Sequence, residues 1–171
     1  MTKMFNRLKV NDALNKISGG DLSALTALYD YLGRQIFTLA LSVVRNTEDA
    51  EDVMQETFAK IIEKIGTYRV GGNGRAWVMT IARNVAIDTL RERKHTVALE
   101  GLEQIPVEYD LTEKAEMEEL LSCLGETDRD IIILKLAGGF KLGEIAEIVG
   151  LSRAATEKRY RRALSKLKSN Y

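Results

Sequence analysis

Basic residues near the C-terminus have the types and spacing that suit nucleic-acid binding. From Arg153 onward the sequence follows a helical period, with one polar, basic face opposite an apolar stripe. The basic face consists of Ala154, Lys158, Arg161, Arg162 and Ser165, and the apolar stripe consists of Thr156, Tyr160, Ala163, Leu164 and Leu167. A helix with lysine and arginine away from its core fits the major groove of DNA and its flanking phosphates.

The preceding segment completes a helix-turn-helix pattern. Its short first helix has an apolar side made of Leu142, Ile145, Ala146 and Val149. Gly150 ends that helix, because glycine readily adopts the left-handed conformation of a helix stop. The alternative is an ordinary helical hairpin with a solvated basic face. The short turn and the net charge of +5 over residues 127–171 favour DNA binding.

A second set of polar residues follows a glycine-rich segment. Residues 68–74 (YRVGGNG) contain too much glycine for a helix and are expected to form a mobile loop. The helix after it, from about Arg75 to Arg93, has one stripe made of Trp77, Thr80, Asn84, Asp88 and Arg91. Aromatic, amide and guanidinium groups together stack on and hydrogen-bond to unstacked bases. A core tryptophan beside solvated polar residues is the alternative.

An earlier helix has an acidic face. Asn46 and Thr47 cap the segment NTEDAEDVMQETFAKIIEKIG, whose acidic first turn suits the positive end of a helix. The acidic face contains Glu48, Asp49, Asp52, Gln55, Glu56 and Glu63, and the core side contains Ala50, Val53, Met54, Phe58, Ile61 and Ile65. Such a face repels DNA but fits a basic groove of a protein. A merely solvated face is the alternative.

These helices predict an all-α protein with two small helical domains, because helical periodicity dominates and the chain has one proline. The first domain is expected over 1–94 and includes a long helix from its N-cap Asp21 to about Val44. A flexible acidic linker follows over 95–110, and the helix-turn-helix domain covers 111–171. Residues 95–126 have a net charge of −8, between a first block of +3 and a last block of +5.

Composition excludes several classes of protein. One histidine and one cysteine among 171 residues exclude a disulfide framework and clustered metal sites, and no phosphate-binding GxxxxGK motif occurs. We therefore expect no enzyme and no cofactor. His95 is expected in solvent and Cys123 as a small buried residue. Without a signal peptide or a membrane-spanning apolar run, a soluble cytoplasmic protein is expected.

Three strings in fixed order resemble a known family. They are DAEDVMQETFAKI, the pattern Tyr68-x8-Trp77-x3-Ile81-x2-Asn84, and EIAEIVGLS followed by KRYRRAL. From about Leu22 to Lys168 the chain resembles bacterial RNA polymerase sigma factors of the extracytoplasmic-function (ECF) group, the smallest of the sigma-70 type. The resemblance implies a subunit that binds core RNA polymerase and directs initiation at promoters.

The resemblance also implies protein partners. The acidic helix matches the surface that docks on the clamp of the largest polymerase subunit, with Asp49, Asp52, Gln55 and Glu56 as contacts. The helix-turn-helix domain is expected at the flap region of the second-largest subunit, and the acidic linker in the basic channel toward the polymerase active site. Many relatives are held inactive by an anti-sigma protein, so such a partner is expected here.

Promoter DNA is the other implied partner. The glycine-rich loop and its helix resemble the part that binds the minus-ten element as single-stranded DNA, with one base flipped into a pocket beside the loop. Its expected contacts are Tyr68, Trp77, Ile81, Arg83, Asn84, Asp88 and Arg91. The helix-turn-helix resembles the part that binds the minus-thirty-five duplex, with expected contacts Lys135, Arg153, Glu157, Lys158, Arg161 and Arg162.

Two departures from the family pattern and one competing function remain. In the first, Ala154-Ala155-Thr156 replaces the usual Gly-Thr-Val and Glu157 replaces a common basic residue, so promoter sequence does not transfer from relatives. The second is Asp88, an acid that would lie near negatively charged DNA. The competing function is a stand-alone helix-turn-helix repressor or activator that binds duplex DNA as a dimer. The tryptophan stripe and the acidic helix favour the sigma factor, because a repressor needs neither.

Overall fold

The computed structural model describes residues 2–100 and 121–169, with side chains placed for residues 8–95 and 121–169. Within these ranges the regular structure is helical and no strand occurs, which confirms the predicted all-α class. The helices lying wholly within them are α1 (Thr2–Ser18), α2 (Ala24–Val44), α3 (Thr47–Lys64), α4 (Gly74–Glu100), α5 (Glu126–Leu136), α6 (Leu142–Val149) and α7 (Arg153–Ser169). A single 3₁₀ turn, Ile65–Thr67, follows α3.

The chain divides into two compact units, residues 1–87 and residues 88–171. The dividing point falls inside α4, whose end the sequence analysis put at about Arg93. The helix instead continues to Glu100, so residues 95–100 are helical rather than part of a linker, which corrects the predicted helix end. The rest of the predicted linker, 101–110, and the start of the second predicted domain, 111–120, lie outside the described residues. The domain limits themselves stay a prediction.

The first unit contains a helix that the sequence analysis did not assign. Val10, Ala13, Leu14 and Ile17 of α1 are buried, at the i, i+3, i+4, i+7 spacing of an amphipathic helix. They belong to the same unit as the buried residues Leu28, Leu32, Ile36 and Leu39 of α2. Helix α1 packs on α2, and α2 packs on α3. The missed signal was present in the sequence, where this apolar spacing runs through a polar stretch and ends at Gly19-Gly20.

The ends of α2 and α3 show how capping sets their positions. Asp21, predicted as the N-cap of α2, lies before the helix, and its carboxylate accepts hydrogen bonds from the N–H and hydroxyl of Ser23. It therefore stabilises the turn that leads into α2, which corrects the prediction. Asn46 is the predicted N-cap of α3, and its Oδ1 accepts from the N–H of Asp49 at 2.9 Å.

The second unit contains the helix-turn-helix formed by α6 and α7. Gly150 ends α6 with φ 69°, the left-handed conformation that favours glycine, and the N–H of Leu151 donates to the carbonyl of Ala146 at 3.0 Å. Helix α7 begins at Arg153 and ends at Ser169, as predicted. Its buried residues Thr156 and Ala163 lie on the predicted apolar stripe.

No helix in the described parts of the chain is long and apolar enough to span a membrane.

Candidate nucleic-acid and protein interfaces

Helix α3 exposes the acidic face that its sequence predicts. Asp52, Gln55 and Glu56 are exposed and Asp49 is half-buried, while Ala50, Val53 and Ile61 are buried on the opposite side. Lys60 lies beside this face, with Nζ 3.0 Å from Glu63 and 3.6 Å from Glu56. The hydrogen bond and charge of Glu63 raise the pKa of Lys60. Lys60 therefore partly balances the negative charge at the C-terminal end of α3.

A shallow apolar groove adjoins the acidic face. It is lined by Leu25, Thr26, Tyr29, Met54, Gln55 and Phe58. Tyr29 is half exposed, and its ring centre lies 5.5 Å from that of Phe58. Gln55, a predicted polymerase contact, lies at the rim of this groove. The sequence analysis missed the groove, because nothing in the period of α2 distinguishes an exposed Tyr29 from a buried one.

The glycine-rich loop, Tyr68–Gly74, is held at both ends. Tyr68 is buried, and its ring centre lies 5.4 Å from that of Trp77 at an interplanar angle of 54°. Burial raises the pKa of the Tyr68 hydroxyl, and among the described side chains this hydroxyl is the buried polar atom without a hydrogen-bond partner. Gly71, at the exposed tip, has φ 81°. The tip is thus open to solvent while its ends are packed.

The residues predicted to bind single-stranded DNA divide into two groups. Asn84, Asp88 and Arg91 are exposed, and Trp77 and Arg83 are half-buried. Tyr68 and Ile81 are each 7% exposed, so their side chains belong mainly to the core. Some of the predicted residues therefore have polar groups exposed to solvent, whereas others have side chains packed mainly in the core. The role of each in DNA binding stays a prediction.

Arg91 is paired on its own helix. Its Nη1 lies 3.7 Å from Oδ1 of Asp88, and both side chains are mostly exposed. An exposed pair of this kind contributes little to stability, so its guanidinium remains open to exchange one carboxylate contact for a phosphate. Arg75, which the sequence analysis did not single out, is buried at the start of α4 and donates to Oε1 of Gln35 at 3.3 Å.

Helix α7 exposes the predicted basic face. Lys158, Arg161 and Arg162 are exposed together with Ala154 and Ser165. The guanidinium of Arg153 donates to the half-buried Glu157 carboxylate at 2.9 Å. Glu157 therefore has a local partner one turn earlier in the helix. Lys135 of α5 is half-buried, and its Nζ donates to the carbonyl of Phe140 at 3.4 Å.

A buried carboxylate joins α5 to α7. Asp128, whose side chain is 4% exposed, accepts from Arg159 at 2.8 Å and from Arg162 at 2.7 Å. Burial alone raises the pKa of Asp128, but the hydrogen bonds and charges of the two arginines outweigh it and lower that pKa below its usual value. The next residue, Arg129, is also buried and donates to the carbonyls of Leu121 and Leu124. The contacts of Asp128 hold α7 against α5, and those of Arg129 hold α5 against the preceding segment.

The two residues singled out by the composition occupy ordinary positions. His95 is exposed, as expected. Cys123 is half-buried rather than buried and packs against a cluster that includes Leu121, Leu124 and Ile132. In the part of the chain that the structure describes, no group of three or more histidine, cysteine, aspartate or glutamate residues has the arrangement of a metal site.

Comparison with known families assigns both units. The family model for sigma-70 region 2 matches residues 28–96, and the model for sigma-70 region 4 matches residues 114–167. The chain belongs to the ECF group of sigma-70-family RNA polymerase sigma factors. This finding confirms the resemblance noted in the sequence. Members of this family are DNA-binding regulatory subunits rather than catalysts.

Curated relatives agree with this assignment. The chain is 32% identical to RNA polymerase sigma factor CarQ of Myxococcus xanthus, over 74% of this chain and 76% of CarQ. It is 31% identical to ECF RNA polymerase sigma factor EcfG of Rhodopseudomonas palustris, over 75% and 74%. It is also 31% identical to RNA polymerase sigma factor SigV of Bacillus subtilis, over 77% and 81%.

Solved structures are similar in fold. CnrH, solved in complex with the cytosolic domain of CnrY, matches with a TM-score of 0.77 at 25% identity, over 94% of this chain and 96% of CnrH. Sigma factor RpoE of Bartonella quintana, solved in complex with the anti-sigma factor NepR, matches with a TM-score of 0.72 at 25% identity, over 86% and 96%.

Proposed function

We propose that this ECF sigma factor binds core RNA polymerase and directs initiation by two DNA contacts. In this proposal α7 binds the minus-thirty-five duplex, and the glycine-rich loop with α4 binds the minus-ten element as single strand. The observation that supports it most directly is the surface of α4. Half-buried Trp77 and exposed Asn84 provide a stacking group and a hydrogen-bonding group on the helix that follows an exposed glycine loop.

DNA opening follows physically from such a surface. Removing a base from the duplex stack costs a few kcal/mol. A pocket that holds the unstacked base lowers the free energy of the open state relative to the closed one. Binding energy alone therefore drives the melting, without hydrolysis of a nucleotide.

The proposed protein partners rest on surface charge and on the family. We propose that the acidic face of α3 and the adjoining apolar groove dock on the clamp of the largest polymerase subunit, and that the helix-turn-helix unit docks on the flap of the second-largest. An anti-sigma protein is proposed as well, since the similar RpoE was solved with NepR. These partners place the protein in the cytoplasm, where the polymerase acts.

The competing function is a stand-alone helix-turn-helix regulator. It is disfavoured because a regulator that binds duplex DNA needs neither the acidic face of α3 nor the exposed stripe of α4. In vitro transcription and permanganate footprinting, with and without bacterial core polymerase, separate the two functions. Polymerase-dependent initiation with thymines opened near minus ten supports the sigma function. Duplex binding that needs no polymerase and opens no DNA supports the regulator.

A further inference from the structure

One side chain of α1 fastens the glycine-rich loop. The carboxamide of Asn11 donates from Nδ2 to the carbonyl of Gly72 and accepts on Oδ1 from the N–H of Gly74, both at 3.0 Å. Asn11 is half-buried at this contact. These bonds join positions 61 and 63 residues apart, so α1 and the loop are held together by polar contacts that depend on the tertiary fold.

The contact also depends on a close approach that only glycine permits. A Cβ atom on Gly74 would lie 2.5 Å from Cδ1 of Leu14 and 2.6 Å from Oδ1 of Asn11. The N–H of Gly74 is one of the first donors of α4, which have no partner within the helix. Asn11 supplies that partner, and Asn73 accepts from the N–H of Ala76 at 3.4 Å in the same turn.

The consequence concerns the exposed tip of the loop. Arg69, Val70 and Gly71 are exposed, and Gly71 and Gly72 give the backbone wide conformational freedom. A free loop would lose that freedom when it closes on a base, which weakens binding. With Tyr68 buried at one end and Asn11 bonded at the other, the loop is ordered during folding, before DNA arrives.

We propose that Asn11 is a positioning residue for promoter opening, which orders the loop that holds the unpaired minus-ten base. This rests on the proposed function of the loop. Asn11 precedes residues 28–96, which the region 2 model matches. The proposal therefore adds α1 to the elements that bind the minus-ten DNA. Asn11 acts through Gly72 and Gly74 and has no need to touch DNA itself.

The test uses holoenzyme assembled from core polymerase and the full chain. The probe is a single-stranded oligonucleotide with the minus-ten non-template sequence of a promoter found by transcription, compared with copies that lack one base at each position in turn. Wild type prefers the intact oligonucleotide over the copy that lacks the flipped base. Asn11→Leu has neither the donor nor the acceptor of the carboxamide. Its preference for the intact oligonucleotide is expected to be about tenfold smaller than that of wild type. Its affinity for the abasic copy stays the same.

Further variants separate positioning from general stability. Asn11→Asp keeps the acceptor for Gly74 but places a carboxylate against the carbonyl of Gly72, so it should fall between Asn11→Leu and wild type. Gly74→Ala should reproduce the loss, because its methyl group would displace the Asn11 carboxamide from the backbone N–H of residue 74. Asn15→Leu, at an exposed position on α1, is the matched control and should bind both probes as wild type does.

Three results distinguish the possibilities. Full preference in Asn11→Leu overturns the inference while leaving the proposed function intact. Equal weakening toward the intact and abasic probes also overturns it, because a general folding defect lowers both affinities alike. A wild-type protein without any preference contradicts the proposed base pocket itself.

Discussion

The carboxylate of Asp128, in the first turn of α5, accepts a hydrogen bond at 2.7 Å from Arg162, in the middle of α7. The same carboxylate accepts from Arg159 at 2.8 Å. The arginine side chains are 39% and 56% exposed, whereas Asp128 is almost fully buried. One buried acid thus contacts two partly exposed basic side chains of the proposed DNA-binding helix. We therefore expect its removal to affect both stability and DNA binding.

The first prediction concerns stability. Asp128→Asn should lower the free energy of unfolding by about 1–2 kcal/mol at neutral pH, because two charge-assisted hydrogen bonds weaken while the partly exposed arginines regain water. Denaturant unfolding of both proteins measures this difference. Glu126→Gln changes an exposed acid in the same first turn and is the control. An unchanged midpoint in Asp128→Asn would show that the ion pair adds nothing.

The same pair predicts a pH dependence. The pKa of Asp128 is lowered in the folded state, so the unfolded state binds more protons in the acid range and this contribution is lost as pH falls. The stability difference between wild type and Asp128→Asn should be constant above about pH 5, beyond the unfolded aspartate pKa of about 4. It should shrink as pH falls through the folded pKa. A difference that grows in acid would contradict the lowered pKa.

The second prediction concerns phosphate contacts of α7. Arg162→Ala should weaken minus-thirty-five binding similarly across promoter variants and reduce the salt slope by about one, the signature of one lost phosphate contact. Holoenzyme binding measured over a salt series provides both values. Lys16→Ala removes an equal charge from α1, where Lys16 pairs with Asp12. That control should leave the slope unchanged. An unchanged slope in Arg162→Ala would show that Asp128 keeps this arginine from DNA.

The sequence predicted the helices better than it predicted the contacts between them. Helix α7 and its stop at Gly150 followed from local rules, since period and glycine conformation act over a few residues. Asp128 and Arg162 are separated by 34 positions and Asn11 and Gly72 by 61, so these contacts depend on how helices pack. Helix α1 lies between these cases, because its apolar spacing was in the sequence but is interrupted by many polar residues.

The candidate site was predictable to a similar degree. The acidic face of α3 followed from periodicity, because Asn46 capped the helix and fixed which residues face outward. The burial of Tyr68 and Ile81 could not be predicted. A family resemblance matches positions in the sequence but does not distinguish a residue that touches DNA from one that packs in the core. The loop was expected to be mobile, yet Asn11 bonds it to α1, a contact that no string near the loop reveals.

The third prediction concerns polymerase binding. Asp52→Lys should lower affinity for core polymerase by about tenfold, since a reversed charge on the acidic face meets a basic groove unfavourably. Competition for core polymerase against a labelled wild-type protein measures this affinity. Asp30→Lys reverses an exposed acid on α2 outside the predicted set and is the control. Equal losses in both variants would indicate a general charge effect rather than docking at Asp52.

The fourth prediction concerns the aromatic group on α4. Trp77→Ala should reduce opening of duplex promoter by on the order of tenfold to a hundredfold, because base–aromatic stacking contributes about 1–3 kcal/mol. The substitution should reduce opening less at a promoter with mismatched bases near minus ten, since those bases are already unpaired. Trp77→Phe keeps a ring beside Tyr68 and should retain part of the activity. Equal loss on both templates would mean that Trp77 acts only by packing on Tyr68.

The fifth prediction concerns Asp88, the acid on the stripe of α4 that is proposed to face DNA. Asp88→Asn should leave promoter opening intact or increase it, because the substitution removes a negative charge near phosphate and weakens the 3.7 Å pair with Arg91. Arg91 then becomes available to phosphate, and the gain should be largest at low salt, where charges are least screened. Permanganate reactivity over a salt series measures this. Arg91→Gln is the complementary variant and should reduce opening most at low salt. Clear loss of opening in Asp88→Asn would contradict the expectation that this acid only repels the phosphates beside α4.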